Sequence, residues 1–88
     1  MKRSNIDEVL DMVEEYLRGE MDAISFVLDF PHEVTQRYQK MRKEDPEWTD
    51  MIYVYLLEQG TDLYHSMSEP EFRAHIQRQY DNVVEGAY

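Results

Sequence analysis

Residues 51–57, Met-Ile-Tyr-Val-Tyr-Leu-Leu, are the longest uncharged apolar run in the chain, and the residues around them limit what they can become. Asp45 can cap free helical N–H groups, and Pro46 follows at a first helical position, where a missing N–H is no loss. Gly60 is the expected stop, because glycine most easily takes the left-handed conformation past a helix end. The spacing predicts a helix over 46–59. At about 100° per residue, Trp48, Met51, Ile52, Tyr55 and Leu56 fall on one broad side. Tyr53, Val54 and Leu57 fall on the other, beside Asp50. A helix apolar nearly all round is either central to a bundle or presents its second face to a partner.

Glycine occurs only at 19, 60 and 86 and proline only at 31, 46 and 70, and these six positions divide the chain into helical segments. Asn5 and Glu8 have the spacing of a capping box and predict a first helix over 5–18, ended by Gly19. Its stripe is Ile6, Val9, Leu10, Val13, Tyr16 and Leu17. A second helix, 22–30, opens near Asp22 and carries Ile24, Phe26, Val27, Leu28 and Phe30. Pro31 then predicts a break or kink, since proline removes a hydrogen bond and pushes the preceding residue towards an extended conformation. A third helix, 31–44, follows with Asp29 or Phe30 as cap and Val34, Tyr38 and Met41 inward. After the helix over 46–59 comes an irregular connection at 61–67, with at most a helical turn. Ser68 and Glu71 form a second capping box, with Pro70 in the first turn, and open a helix over 69–84. Its buried stripe is Phe72, Ile76, Tyr80 and Val83, and residues 85–88 are expected to fray. No window alternates apolar and polar residues over a strand's length. The expectation is all-α: a single domain, 1–88, folded as a compact antiparallel bundle of four to five helices.

Eighty-eight residues bury roughly 60–65% of their unfolded surface, which is enough to fold alone with little margin. The chain contains no cysteine, which removes disulfides and thiolate metal sites and suits a reducing cytoplasm. Met1-Lys2-Arg3 is basic like the start of a signal peptide, but Ser-Asn-Ile-Asp-Glu follows instead of an apolar segment, so export by that route is not expected. No apolar run approaches the roughly 20 residues of a membrane helix, and no membrane association is expected. Nineteen acidic against nine basic residues give a formal charge of −10. That argues against nucleic acid as a partner, because binding it begins with neutralising phosphates. It favours encounter with a basic protein, and it also serves solubility.

No catalytic constellation stands out. Ser4, Ser25, Ser66, Ser68, Thr35, Thr49 and Thr61 are the hydroxyl candidates, and none lies in a Gly-flanked elbow; no Gly-rich phosphate loop occurs either. Asp29/His32 and Asp62/His65 each place an acid three residues before a histidine, as in di-iron bundles. Such a site needs the pair on a continuous helix, whereas one pair straddles Pro31 and the other falls in the expected loop. Neither enzyme activity nor a metal or cofactor is expected.

The acids are distributed unevenly. Asp7, Glu8, Asp11, Glu14 and Glu15 line the first helix, as a solvated face would. Glu44, Asp45, Glu47 and Asp50 crowd the start of the 46–59 helix, with Glu58 and Asp62 near its far end. Among these lie Tyr53, Tyr55 and Tyr64, in a chain with seven tyrosines and three phenylalanines. Tyrosine joins an apolar body to a hydrogen-bonding tip and suits protein interfaces. Carboxylates around tyrosines mimic a phosphate backbone for a basic protein; the alternative is that these tyrosines fill bundle seams. Arg37, Lys40, Arg42 and Lys43 gather basic charge into seven positions. Neighbouring acids can compensate them, and a second copy's acidic face is the other option.

The stretch Tyr-Leu-Arg-Gly-Glu-Met-Asp-Ala-Ile-Ser-Phe (16–26) resembles the colicin-D-type immunity proteins and related bacterial toxin-immunity proteins. In that family an aromatic-Leu pair ends the first helix, and a turn leads into an Ala-Ile-x-Phe-like second helix. The resemblance implies an acidic cytoplasmic helical bundle that binds and blocks a toxin. Tyr53-Val-Tyr55 only loosely echoes the tyrosine pair of nuclease-colicin immunity proteins, so no binding residue transfers. From the residues themselves the expected contact surface is Asp45, Glu47, Asp50, Tyr53, Glu58, Asp62 and Tyr64. The expected partner is a basic protein toxin, a nuclease, met by a monomer or weak dimer. The alternative is a helical adaptor for an ordinary cellular protein.

Overall fold

Ile6, Val9, Leu10, Val13 and Tyr16 recur at three and four residues and form the buried face of α1 (Ser4–Leu17). The computed structural model describes residues 4–86. Within them the chain is a bundle of four α-helices without strands. Its radius of gyration of 12.1 Å is that of a compact chain of this length. Gly19, at φ 81°, takes the left-handed conformation that ends α1.

The expected capping box at Asn5 and Glu8 does not form. Asn5 lies inside α1, and the helix start is held by Glu44, from the far end of the next helix. Its carboxylate accepts the backbone N–H of Asn5 at 3.0 Å and of Ile6 at 3.0 Å, and the Asn5 side-chain amide at 2.6 Å. A carboxylate at this position satisfies N–H groups that the helix itself cannot.

The two helices expected over 22–30 and 31–44 are one. α2 (Ala23–Glu44) is continuous through Pro31. Asp22 caps it by accepting the Ser25 N–H at 2.7 Å, and its bonds to the backbone and side chain of Ser25 hold the Asp22 carboxyl below its ordinary pKa. Neither Asp29 nor Phe30 is a cap. The break fails for a packing reason: Phe26, Phe30, Val34 and Met41 are fully buried on one unbroken stripe, and α1 packs along the helix. Each such side chain contributes about 1.5–3 kcal/mol by leaving water, which together exceeds the ~3 kcal/mol a helical proline costs. Tyr16 and Phe26 stack at 4.7 Å, and Phe26 also meets Phe30 and Phe72, so the aromatic centre of the core joins α1, α2 and the last helix.

Asp45 and Pro46 start α3 (Pro46–Met51) as expected, with Asp45 accepting the Trp48 N–H at 3.2 Å. The helix then widens. Ile52–Glu58 is a π-helical segment, closed by the Gln59 N–H bonding to the Val54 carbonyl at 2.9 Å. Bonds spanning five residues bring residues five apart to one face. Hence Ile52, Leu56 and Leu57 are all buried, although α-geometry puts Leu57 opposite Ile52. Tyr53 and Val54 are turned outward.

Gly60 does not adopt the expected left-handed stop; its φ is −124°. Glycine is required there because a Cβ would collide with the backbone of Leu56. The connection is a 3₁₀ turn, Thr61–Ser66. α4 (Glu69–Gly86) opens on Ser68, whose hydroxyl accepts the Glu71 N–H at 3.4 Å and donates to the Glu71 carboxylate at 2.8 Å. Its buried residues are Phe72, Ile76, Gln79 and Val83. Tyr80, expected on the buried stripe, is half-buried against the core, and Gln79 is buried beside it, its amide donating to the Gln59 carbonyl at 3.2 Å, at the end of the π segment. The His75 ring meets the same carbonyl. Helix persists through Glu85 and Gly86, while the rest of the expected fraying lies outside the described residues. No helix of residues 4–86 is long and apolar enough to cross a membrane.

Candidate functional site

The arm formed by α3, the π segment and the 3₁₀ turn, with Asp45 as its cap, carries all seven residues of the expected contact surface, in different states. Glu47, Glu58 and Asp62 are exposed carboxylates. Asp50 is exposed but accepts from Arg42 of α2 at 2.6 Å, which cancels much of its charge locally. Asp45 is half-buried, its carboxylate used in the cap of α3. Tyr64 is half-buried, with its ring edge-on to Phe72 at 5.0 Å, so it serves the core as much as the surface.

Tyr53 is the outward-facing one of the set's two tyrosines. It is 39% exposed, and its ring meets Tyr38 of α2 edge-on at 5.9 Å. The tyrosines differ: Tyr64 fills a bundle seam, and Tyr53 stands at the surface. The π turn causes this, because it sends Leu56 and Leu57 inward together and leaves Tyr53 and Val54 outside.

Tyr38, Thr35, Gln39 and Tyr53 line an open groove of about 490 Å³ between α2 and the π segment. The Arg42 guanidinium lies 5.9 Å from the Tyr38 ring and is ion-paired to Asp50. The sequence reading assigned Tyr38 to the interior and did not link Arg42 with Asp50. Tyr38's position, about 40° of helix turn beyond Val34 at the edge of the buried stripe, marks it as a boundary residue, but the Arg42–Asp50 pair crosses a helix corner and leaves no periodic signal. Of the four clustered bases, Arg37 pairs with Glu33 at 2.9 Å and also donates to Asn5, so compensation within the molecule accounts for Arg37 and Arg42. Lys40 and Lys43 are exposed.

A second acidic face runs along α1. Asp7, Glu8 and Asp11 are exposed, and an open groove of about 450 Å³ passes over them. Glu14 is half-buried, accepts the Tyr80 hydroxyl at 2.7 Å and lies 3.6 Å from Arg18.

The chain matches no known protein family, characterised protein or solved structure. What it binds must be read from its own surface. Asp29 and His32, expected to be separated by Pro31, share the continuous helix α2, and Asp62 and His65 share the 3₁₀ turn. Neither pair belongs to a group of three or more potential metal ligands among the described residues.

Proposed function

We propose that this chain is an immunity- or antitoxin-like binding protein, which holds a basic protein toxin, a nuclease, and covers its active cleft without itself catalysing a reaction. The observation that carries this reading is the exposure of Tyr53 on an arm whose solvent-facing charges include Glu47, Glu58 and Asp62. A nuclease cleft is built to attract phosphate. Exposed carboxylates and an exposed tyrosine on one arm offer it matching charge and an anchor of low conformational cost. The net charge of −10 speeds that encounter at low salt, and the resemblance of residues 16–26 to the colicin-D-type immunity proteins points the same way.

The test is a pull-down from the native host with tagged wild-type chain and with a Glu47→Gln, Glu58→Gln, Asp62→Asn variant, at low and high salt. The expected result is one basic protein, retained stoichiometrically and captured more slowly as salt rises and by the variant. Its nuclease activity is then titrated to zero by one equivalent of wild-type chain. A neutral or acidic partner, or a basic one whose activity is untouched, overturns the immunity reading and leaves an adaptor domain in its place.

A further inference from the structure

We propose that Gln79 and His75 of α4 are positioning residues of the binding arm: by holding the Gln59 carbonyl they fix the wide register of the π segment and keep Leu57 off the face that carries Tyr53 and Val54. The inference rests on the reading above only in taking that face as the contact surface. Gln59 is held from both sides. Its N–H bonds to the Val54 carbonyl at 2.9 Å and closes the five-residue ring that makes the segment π-helical. Its carbonyl accepts the Gln79 amide at 3.2 Å and meets a ring nitrogen of His75. Gln79 is buried, and the Asn82 amide donates to its Oε1 at 2.9 Å, which leaves the Gln79 NH2 group to face Gln59. Moving the Gln59 carbonyl away would strand that buried donor without a partner.

The alternative register is the one that α3 would continue. π-helical runs are rare, and α3 delivers the chain to Ile52 with α-helical dihedrals, φ −59° and ψ −46°. Counted from Ile52 at about 100° per residue, Leu56 falls near 40°, Tyr53 near 100°, Leu57 near 140° and Val54 near 200°. A continued α-helix would therefore keep Leu56 inward and set Leu57 between Tyr53 and Val54 on the outer face. In the π register Leu57 is instead 7% exposed, in the core with Ile52 and Leu56. The two registers present different surfaces. The wide one offers Tyr53 and Val54 on an arm with exposed carboxylates; the narrow one inserts a leucine and makes a contiguous apolar face, which suits indiscriminate contact. Burial of Leu57 favours the wide register, and the hold of α4 on Gln59 is the polar part of the same choice.

The chain has no cysteine, so a single introduced thiol reports the register by its rate of reaction with an aromatic disulfide reagent under native conditions. Leu57→Cys removes most of the apolar gain from burial at 57 and leaves the α4 contacts to hold the register; its thiol should react slowly. Adding Gln79→Leu, which fills the buried volume but donates nothing, should speed the reaction about tenfold, the contribution of one hydrogen bond. Adding His75→Leu as well should speed it further. Leu56→Cys, inward in both registers, should stay slow in all three backgrounds. If Leu57→Cys reacts as slowly with both α4 substitutions as without them, the proposal is overturned, because burial alone then sets the register. An equal rise at Leu56→Cys overturns it too, since the α4 contacts then support the fold generally. So does fast reaction of Leu57→Cys in the otherwise wild-type chain, which would show that the hold on Gln59 does not fix the register. None of these rates involves a partner, so failure here leaves the immunity reading standing, and a failed pull-down leaves these rates as expected.

Discussion

Glu44 and Asn5 are 39 positions apart in the chain, yet the Glu44 carboxylate accepts both the backbone N–H of Asn5, at 3.0 Å, and its side-chain amide, at 2.6 Å. The last turn of α2 thereby caps the first turn of α1. The same carboxylate takes the Ile6 N–H, and the Arg37 guanidinium donates to the side-chain amide oxygen of Asn5 at 3.0 Å. This polar tie fixes the register of two helices whose remaining contact is apolar and tolerant of sliding.

Glu44→Ala should therefore destabilise the fold by about 1.5–3 kcal/mol, the usual worth of hydrogen bonds to a charged acceptor. Glu44→Gln, which keeps one acceptor oxygen and loses the charge, should fall between. Urea unfolding measures this as a lower midpoint at constant slope. An unchanged midpoint for Glu44→Ala would show that the tie carries no net stability.

Pro31 stands inside a continuous helix and offers no N–H to the turn before it. Alanine there restores a helical donor and has better propensity, while the unfolded chain regains some freedom. Pro31→Ala should stabilise the protein by about 1–3 kcal/mol, read as a higher urea midpoint. Destabilisation would mean that the proline's ring packing or a bend at this point matters more than the missing bond.

What was legible in the sequence were the features set by neighbours. Asp45-Pro46, Ser68 with Pro70, Gly19, and the α1 stripe from Ile6 to Tyr16 all rest on contacts within a turn or two, and all appear in the fold. Pro31 was misread because its local cost is visible while the stripe that outweighs it is buried against another helix. Gly60 was the right residue for another reason, since only the folded backbone shows how closely the chain passes Leu56. The π turn was hidden because an all-apolar segment has no period to betray a wider spacing, and with it the outward placement of Tyr53 and inward placement of Leu57. For the contact surface, residue type alone could not separate Tyr53 from Tyr64, nor show that Arg42 shares the charge of Asp50.

Gly19 and Gly60 give a contrast that tests this account. At Gly19, with φ 81°, alanine meets only the left-handed backbone penalty, because its nearest neighbour would be the end of the Arg73 side chain at 3.8 Å. At Gly60, alanine would run into the Leu56 backbone, which cannot swing aside. Gly19→Ala should cost about 1–2 kcal/mol and Gly60→Ala about 2–4 kcal/mol. For a domain of this size each kcal/mol lowers Tm by roughly 4–8 °C, so thermal melts should rank them clearly. The reverse order would remove the close-approach explanation of Gly60.

Two tyrosines should make the protein sensitive to alkali. Tyr16 is fully buried, and its hydroxyl donates to Glu69 at 3.1 Å. Burial pushes its pKa up to about 12, with Glu69 adding to the rise and Arg73 opposing it. Tyr80 is raised as well, by burial first and then by its bond to the Glu14 carboxylate. Both lie above the ~10 of a free tyrosine, so above that pH the folded state holds protons that the unfolded state has released. Their contribution to stability is complete below pH ~10 and is lost as pH rises through the folded values, near 12 for Tyr16. The urea midpoint should fall across that window, with tyrosinate absorbance showing two late-ionising groups until the chain unfolds. Tyr16→Phe and Tyr80→Phe should each flatten the fall, because phenylalanine has no proton to lose. If neither variant changes the slope, some other group governs alkaline unfolding, and the bonds to Glu69 and Glu14 do not hold these protons in solution.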